Sequence, residues 1–285
     1  MVISKTPIKI GFHFLNKQSH RARALRLALK WKIKDIYLLE GLERKHRGYR
    51  NYAVIGDGKI IGLLHVRAGM FTHLFLNVPF TEYLGLRLKG FLSRNYPDNQ
   101  FIFSHENIIR QIIENSIFRI KRVKEFYFME VDRNSLKKYP GIQHRVPTVS
   151  SAQDLLPLFI KYESEELNVN HTYSERTGLL LAVRRKLQKE EITALYDGNK
   201  PVGIAGINAS FNGICQIGYV FVLPEYRGKG YGKRLITAHA ERLLSKCSKV
   251  VLFVRKENIP AYRLYLSCGF KVTETLAQIW LPGGF

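Results

Sequence analysis

Apolar positions along the chain recur at two spacings, about 3.6 and 2 residues, and their alternation lays out the elements. Residues 19–34 set Leu25, Ala28, Leu29 and Trp31 among arginines and lysines, which predicts an amphipathic helix. Such a helix either covers a sheet or offers a basic face to a phosphate backbone or a membrane surface. Residues 52–55 and 59–66 flank Gly56-Asp57-Gly58, the signal of a β-hairpin, and residues 71–78 read as a third strand. Helical spacing returns at 81–94 and 105–120, and a strand-like run follows at 125–131.

Pro140-Gly141 is a boundary signal, dividing the chain into 1–140 and 141–285. Beyond it the pattern predicts a short strand at 143–148, a helix from Ser150-Ser151 to about residue 167, and a second helix over 174–189. A hairpin spans 191–196 and 201–210 across Asp197-Gly198-Asn199-Lys200, and 214–222 is a further strand. A glycine-rich turn then opens a helix over 230–247, before a strand at 249–254, a helix at 260–268 and a last strand from Phe270. The order β-α-α-β-β-β-α-β-α-β makes this half a mixed α/β domain. Both halves contain strand, Gly/Asp/Asn turn, strand and strand in comparable places, which hints at an internal duplication.

Charge changes this picture. The 45 Lys and Arg outnumber 23 Asp and Glu, for a net +22. Residues 1–140 hold 26 basic and 11 acidic side chains, a net of +15; the rest of the chain carries +7. A surface so basic attracts polyanions, whether nucleic acid, acidic lipid or an acidic protein, or serves solubility alone. Three scattered cysteines, Cys215, Cys247 and Cys268, fit neither a disulfide framework nor a metal knuckle. The absence of a long apolar run argues against a membrane span, and the first 15 residues lack a secretory pattern. The expectation is a cytoplasmic protein with reduced thiols and no metal; its oligomeric state is not legible.

The segment richest in chemistry is Ile217-Gly-Tyr-Val-Phe-Val-Leu-Pro-Glu-Tyr-Arg-Gly-Lys-Gly-Tyr-Gly-Lys-Arg-Leu-Ile236. A buried strand enters a turn with Gly228, Gly230 and Gly232, and a helix begins there. Backbone N–H groups at a helix start have no intrahelical partner, and the helix dipole adds partial positive charge. Glycines let that backbone approach a phosphate closely, and Arg227 and Lys229 add charge-assisted contacts. The nucleotide-hydrolase phosphate loop fails for want of its spacing and its Gly-Lys-Ser/Thr ending. The dinucleotide fingerprint fails because Lys233 stands where its third glycine belongs.

What remains, Val222-x-Pro224-x-Tyr226-Arg227-Gly228-x-Gly230-x-Gly232, resembles the pyrophosphate turn of the GNAT superfamily of N-acetyltransferases. A second match follows in the family's order: the strand 250–254, then Glu257-Asn258-x-x-Ala261-x-x-Leu264-Tyr265 and Gly269-Phe270. The resemblance covers about residues 142–282. It implies a central mixed, mostly antiparallel sheet flanked by helices, with two such domains in tandem if residues 1–140 are a degenerate copy. It also implies acetyl-CoA as cosubstrate and an amine as acceptor. The backbone of Val220, Phe221 and Val222 would pair with the pantetheine arm. Arg227, Gly228, Lys229, Gly230, Tyr231 and Gly232 would hold the pyrophosphate, and Asn258 would hydrogen-bond the cofactor. Tyr265 would protonate the departing thiolate.

Each carried-over role has a plainer counterpart in the residues themselves. Tyr265 is also placed to pack on Phe270, and Asn258 to cap the helix beginning near Pro260. Deprotonating an alkyl ammonium at neutral pH costs about 4.6 kcal/mol, at ~1.36 kcal/mol per unit. Many family members use a glutamate six residues before the position of Val222. Here that residue is Gln216, which cannot serve as a base. Glu163, Glu165 and Glu166 are the candidate replacements acting through water, with Glu163 and Glu166 preferred. Gln216 and Tyr219 are candidates to line the acceptor pocket, Tyr219 being equally suited to the core. His171 is a lone histidine without an assigned role. The alternative to an acetyltransferase is a module binding RNA, the ribosome or another polyanion, in which the GNAT scaffold binds CoA or is inactive.

Overall fold

A computed structural model of the chain describes residues 9–44, 48–139, 144–167 and 172–285. It falls into two units, one comprising 1–127 with 274–285 and the other 128–273. The boundary expected at Pro140–Gly141 lies outside the described residues, as does His171. The division is not one cut in the chain. The last strand begins in the second unit and ends in the first, because sheet pairing is satisfied between residues far apart in sequence.

The N-terminal unit runs β1 (Ile10–Phe14), α1 (Gln18–Lys30), α2 (Ile36–Glu43), β2 (Tyr49–Gly56), β3 (Lys59–Arg67), β4 (Phe71–Leu76), α3 (Glu82–Asn95), β5 (Phe101–His105), α4 (Glu106–Glu114) and the start of β6 (Arg122–Val131), whose last residues are counted with the second unit. The strands β1 to β4 pair antiparallel in turn, and β4 pairs parallel to β5. Its core gathers Val54, Leu64, Val66 and Leu74 from the strands against Leu84, Leu88, Leu92, Ile108 and Ile112 from α3 and α4.

The second unit runs β7 (His144–Arg145), α5 (Ala152–Leu167), α6 (Tyr173–Gln188), β8 (Ile192–Asp197), β9 (Lys200–Phe211), β10 (Ile214–Val222), α7 (Tyr231–Leu244), β11 (Lys249–Arg255), α8 (Ile259–Ser267) and the start of β12 (Lys271–Trp280). Strands β7 to β10 are antiparallel and β11 joins β10 in parallel. The order of elements is the same in both units, so the duplication hinted at by the two hairpins extends to every helix and strand. The fold is therefore mixed α/β, with mostly antiparallel sheet flanked by helices, in tandem.

Three elements escaped the pattern reading. β1 is short, and its five residues alternate only weakly. α2 shows almost no polar face, since Ile36, Leu38, Leu39 and Leu42 are all buried. β5 is followed at once by α4, so the expected helix over 105–120 begins one residue later and ends at Glu114.

Candidate active site

The site of the second unit begins with how two strands separate. β10 and β11 pair in parallel only at Ile214–Lys249, Cys215–Val250 and Gln216–Val251. Both strands continue, β10 to Val222 and β11 to Arg255, without pairing further. On its other side β10 stays bonded to β9, with Phe221 opposite Ile204 and Val222 opposite Gly203. The backbone of Val220, Phe221 and Val222 thus has a ladder on one edge, and its other edge lies where β11 has parted from it.

A bulge turns the strand at that point. The register passes from Gly218–Gly206 to Phe221–Ile204, so an extra residue is accommodated on β10. Tyr219 sits at the bulge with φ 53°, a left-handed conformation uncommon for a side-chain-bearing residue. A Cβ at position 218 would meet the Asn208 amide at 2.0 Å, so glycine here leaves room for the Asn208 side chain. The bulge aims the Tyr219 ring at α5, where it lies 5.6 Å from Phe159 and 5.5 Å from Tyr162. The Lys186 ammonium stands 4.7 Å from the same ring.

Beyond β10 a 3-10 turn, Pro224–Tyr226, leads to the glycines. Gly228 and Gly230 have φ of 73° and 80°, and a Cβ on either would point into open space. Gly230 is the N-cap of α7, no side chain caps the helix, and its first turn holds no acid. The N-terminal amides are therefore left for an anionic ligand, and the residues fit the diphosphate of CoA. Gly232 differs: a Cβ there would come 2.5 Å from Leu264 Cδ1 of α8, so the Leu264 side chain occupies the space beside this glycine. Tyr226 and Tyr231 flank the turn edge to face at 5.1 Å, and the Tyr226 hydroxyl donates to Asp197 at 2.9 Å.

The cations of this turn already have protein partners. Arg227 donates through Nε to the Val222 carbonyl at 2.8 Å and through Nη2 to Glu165 at 2.8 Å. Lys229 Nζ donates to the Glu225 carbonyl at 2.9 Å. Asn258 caps α8, its Oδ1 accepting the Ala261 N–H at 3.1 Å, as its place before Ile259-Pro260 suggests.

Tyr265, on α8, is buried against Phe270 at 5.8 Å. Burial pushes its hydroxyl well above the ordinary phenol range, and nearby Tyr162 and Glu166 push it the same way. Tyr162 is raised likewise, by burial first and then by Tyr219, Glu166 and Glu163, with a backbone hydrogen bond to Tyr219 opposing. Tyr162 and Tyr219 are ring neighbours at 5.5 Å, and Glu166 helps raise the hydroxyls of both Tyr162 and Tyr265. Glu166 accepts from Arg255 Nη2 at 2.6 Å at the end of β11. Tyr162 and Arg255 were absent from the sequence reading. The signal for Tyr162 was its place one turn before Glu166 on α5, facing the same way. Gln216 is buried, and its Oε1 has no hydrogen-bond partner among the described residues.

The corresponding place in the N-terminal unit is built differently. Between β4 and α3 the chain reads Asn77-Val78-Pro79-Phe80-Thr81, without glycine. Thr81 Oγ1 accepts the Leu84 N–H at 3.3 Å, and Glu82 occupies the first turn of α3. A capped helix start with an acid beside it is unsuited to a diphosphate.

Comparison with known proteins agrees with this geometry. The model of the Acetyltransferase (GNAT) family matches residues 156–270. The spermine/spermidine N(1)-acetyltransferase of Bacillus subtilis (strain 168) is 30% identical over 114 residues, covering 37% of this chain and 75% of that protein. The mycothiol acetyltransferase of Corynebacterium glutamicum (strain R) is 24% identical over 188 residues, covering 61% of this chain. The match spans 64% of that relative's length. Among solved structures, a tandem GNAT protein from the clavulanic acid biosynthesis pathway superposes with a TM-score of 0.62 at 13% identity, over 97% of this chain and 99% of its own. With its parted strands, bulge and uncapped glycine turn all in one unit, the chain belongs to the GNAT acetyltransferase family.

Proposed function

We propose that the second unit transfers an acetyl group from acetyl-CoA directly to an amine. The observation carrying this reading is the start of α7, where Gly228 and Gly230 adopt positive φ, no side chain caps the helix, and β10 and β11 part alongside. Bound there, acetyl-CoA supplies the activated thioester. The amides of residues 228–232, with Arg227 and Lys229, hold its diphosphate. The backbone of Val220, Phe221 and Val222 aligns the pantetheine arm as an added strand would, and an N–H of this stretch stabilises the developing oxyanion.

Tyr265 supplies the proton for the leaving thiolate. Its burial keeps the hydroxyl protonated through the physiological range, as a general acid requires. Glu163 and Glu166, near the end of α5, take the proton from the incoming ammonium through water, since Gln216 cannot serve as a base. Tyr219, on the bulge, and Gln216, with its buried amide oxygen, line the acceptor side. Asn258 orients the segment between β11 and α8 through its cap and contributes to the cofactor site. We place the activity in the cytoplasm, a reducing compartment suited to the free Cys215, Cys247 and Cys268.

The test is direct. Acetyl-CoA is titrated calorimetrically into the full chain, and thiol release is then followed with a panel of amines that includes spermidine. Micromolar binding and amine-dependent thiol release support the reading. Absence of heat with acetyl-CoA and with CoA removes it.

A further inference from the structure

One end of the N-terminal sheet carries a row of aromatic side chains at a single level. Tyr49 stands opposite Arg67, Arg67 opposite Phe71, and Phe101 opposite Trp280. The parallel pairing of Thr72 with Ile102 brings Phe71 level with Phe101. Residues directly opposite in a ladder project from the same face, so these side chains form one continuous line across β2, β3, β4, β5 and β12. The rings are neighbours: Tyr49–Phe71 at 6.0 Å, Phe71–Phe101 at 6.2 Å and 26°, and Phe101–Trp280 at 5.0 Å. At strand spacings of about 4.8 Å the row is roughly 19 Å long.

One cation stands inside the row, between Tyr49 and Phe71, and another at its far end. The Arg67 guanidinium lies 5.4 Å from the centre of the Tyr49 ring, and the Lys124 ammonium 5.0 Å from that of Trp280. Arg122, two residues before Lys124 on β6, is exposed. Every member of the row is half-buried. The next row inward on the same face, Asn51, His65, His73, Phe103 and Gln278, is buried. Asn51 Nδ2 donates to the Gly41 carbonyl of α2 at 2.8 Å, and His73 Nδ1 pairs with Asp35 at 2.6 Å, at the start of the same helix. The helix α2 therefore covers the inner row, and the outer row is held firm by the strands while its rings retain exposed surface.

We propose that this row is a binding platform for single-stranded nucleic acid. Tyr49 is stacked on His65 at 5.2 Å with Arg67 beside it, so Phe71 and Phe101, half-buried side by side on rigid strands, are the rings that offer surface to unpaired bases, and Arg67, Arg122 and Lys124 meet the phosphates. The charge agrees, since residues 1–140 carry a net +15. A paired duplex hides its base faces, so the platform selects single strands. Among the described residues, the start of α3 lacks the glycine turn found before α7 and is capped by Thr81, so it does not compete for an anion. The proposal does not depend on the acetyltransferase reading.

The test uses the full chain and fluorescein-labelled oligouridylate and oligothymidylate of about ten nucleotides, alongside a duplex of equal length, read by anisotropy across salt. Both single strands should bind at least tenfold more tightly than the duplex, with a preference for oligouridylate if the 2′-hydroxyl is read. Phe71→Leu with Phe101→Leu, which keeps apolar bulk and removes the rings, should weaken single-strand binding roughly tenfold and leave the salt slope unchanged. Lys124→Gln should lower that slope by about 0.7. It also remains informative if the double variant fails to fold by circular dichroism. Equal affinity for duplex and single strand, or affinity unaffected by the leucine pair in a folded protein, would overturn the proposal. So would binding confined to anionic phosphatidylserine vesicles.

Discussion

Arg227 and Glu165 are joined at 2.8 Å, so the cation assigned to the cofactor's diphosphate is held by a carboxylate of α5. The same guanidinium bonds the Val222 carbonyl, a group assigned to the pantetheine arm. On the proposed reading, Glu165 competes with the cofactor's diphosphate for this guanidinium. Both side chains are nearly half exposed, and such pairs contribute about 0.2–1 kcal/mol. Glu165→Gln should therefore tighten CoA binding by up to about fivefold, measured by calorimetry. Weaker binding by the variant would show that Glu165 presents Arg227 to the ligand instead of competing for it.

Gly230 and Gly232 should respond to substitution in different ways. Gly230 faces open space at φ 80°, so Gly230→Glu should fold, at a conformational cost of about 1–2 kcal/mol, and lose CoA binding. An added Cβ at Gly232 meets the Leu264 Cδ1 methyl, so Gly232→Ala should gain less than the about 0.5–1 kcal/mol that alanine ordinarily brings to a helix position. Leu264→Ala in that background should show a favourable coupling, read from a double-mutant cycle of unfolding midpoints. Additive midpoints would mean that α7 and α8 adjust without strain.

The contrast between these glycines shows what the sequence can carry. The turn from Val222 to Gly232 was legible because a local backbone conformation needs particular residues at fixed spacing. The second signature, from Asn258 to Phe270, was legible for the same reason. Long-range relations were not. The closeness of Leu264 to Gly232, the partners of Arg227 and Arg255, and the passage of β12 into the first unit join residues distant along the chain, and no local period encodes them. α2 was lost because a helix buried nearly all round has no polar stripe to reveal its period.

Asp35 should make the N-terminal unit sensitive to acid. Burial alone would raise its carboxyl, but His73 at 2.6 Å, the Leu38 N–H and His65 outweigh burial and hold it below the ordinary value of 3.8. A folded-state value below the unfolded one gives stability that is present above about pH 4 and lost as pH falls through the folded value. Asp35→Asn should destabilise by about 3–5 kcal/mol at neutral pH. Its unfolding midpoint should also vary less between pH 5 and pH 3, a window set by that depressed value. Parallel midpoint curves for the two proteins would remove Asp35 as the source of the acid dependence.

Glu163 and Glu166 share an environment with Tyr162 but differ in their fixed contacts, since Glu166 is bonded to Arg255 at 2.6 Å. If they relay the acceptor's proton, Glu163→Gln and Glu166→Gln should each lower kcat/KM and displace the acidic limb of the pH–rate profile. Glu166→Gln should also loosen the end of β11 by leaving Arg255 with Glu257 at 3.6 Å as its remaining carboxylate partner, seen as a higher KM for acetyl-CoA that Glu163→Gln does not share. Identical profiles for both variants and the parent would clear the two carboxylates.

Tyr265 is the sharpest test of the chemistry. Burial, with Tyr162 and Glu166 nearby, raises its hydroxyl, so the proton is present across the whole usable pH range. Loss of that proton therefore cannot produce an alkaline limb below about pH 10. Tyr265→Phe should lower kcat by about 10²–10⁴-fold, change KM for acetyl-CoA far less, and leave the shape of the pH profile as it was. The ring would remain packed on Phe270, so the fold should persist. Unchanged kcat would reduce Tyr265 to a core residue, and a lost alkaline limb would mean that its hydroxyl titrates where this burial forbids it.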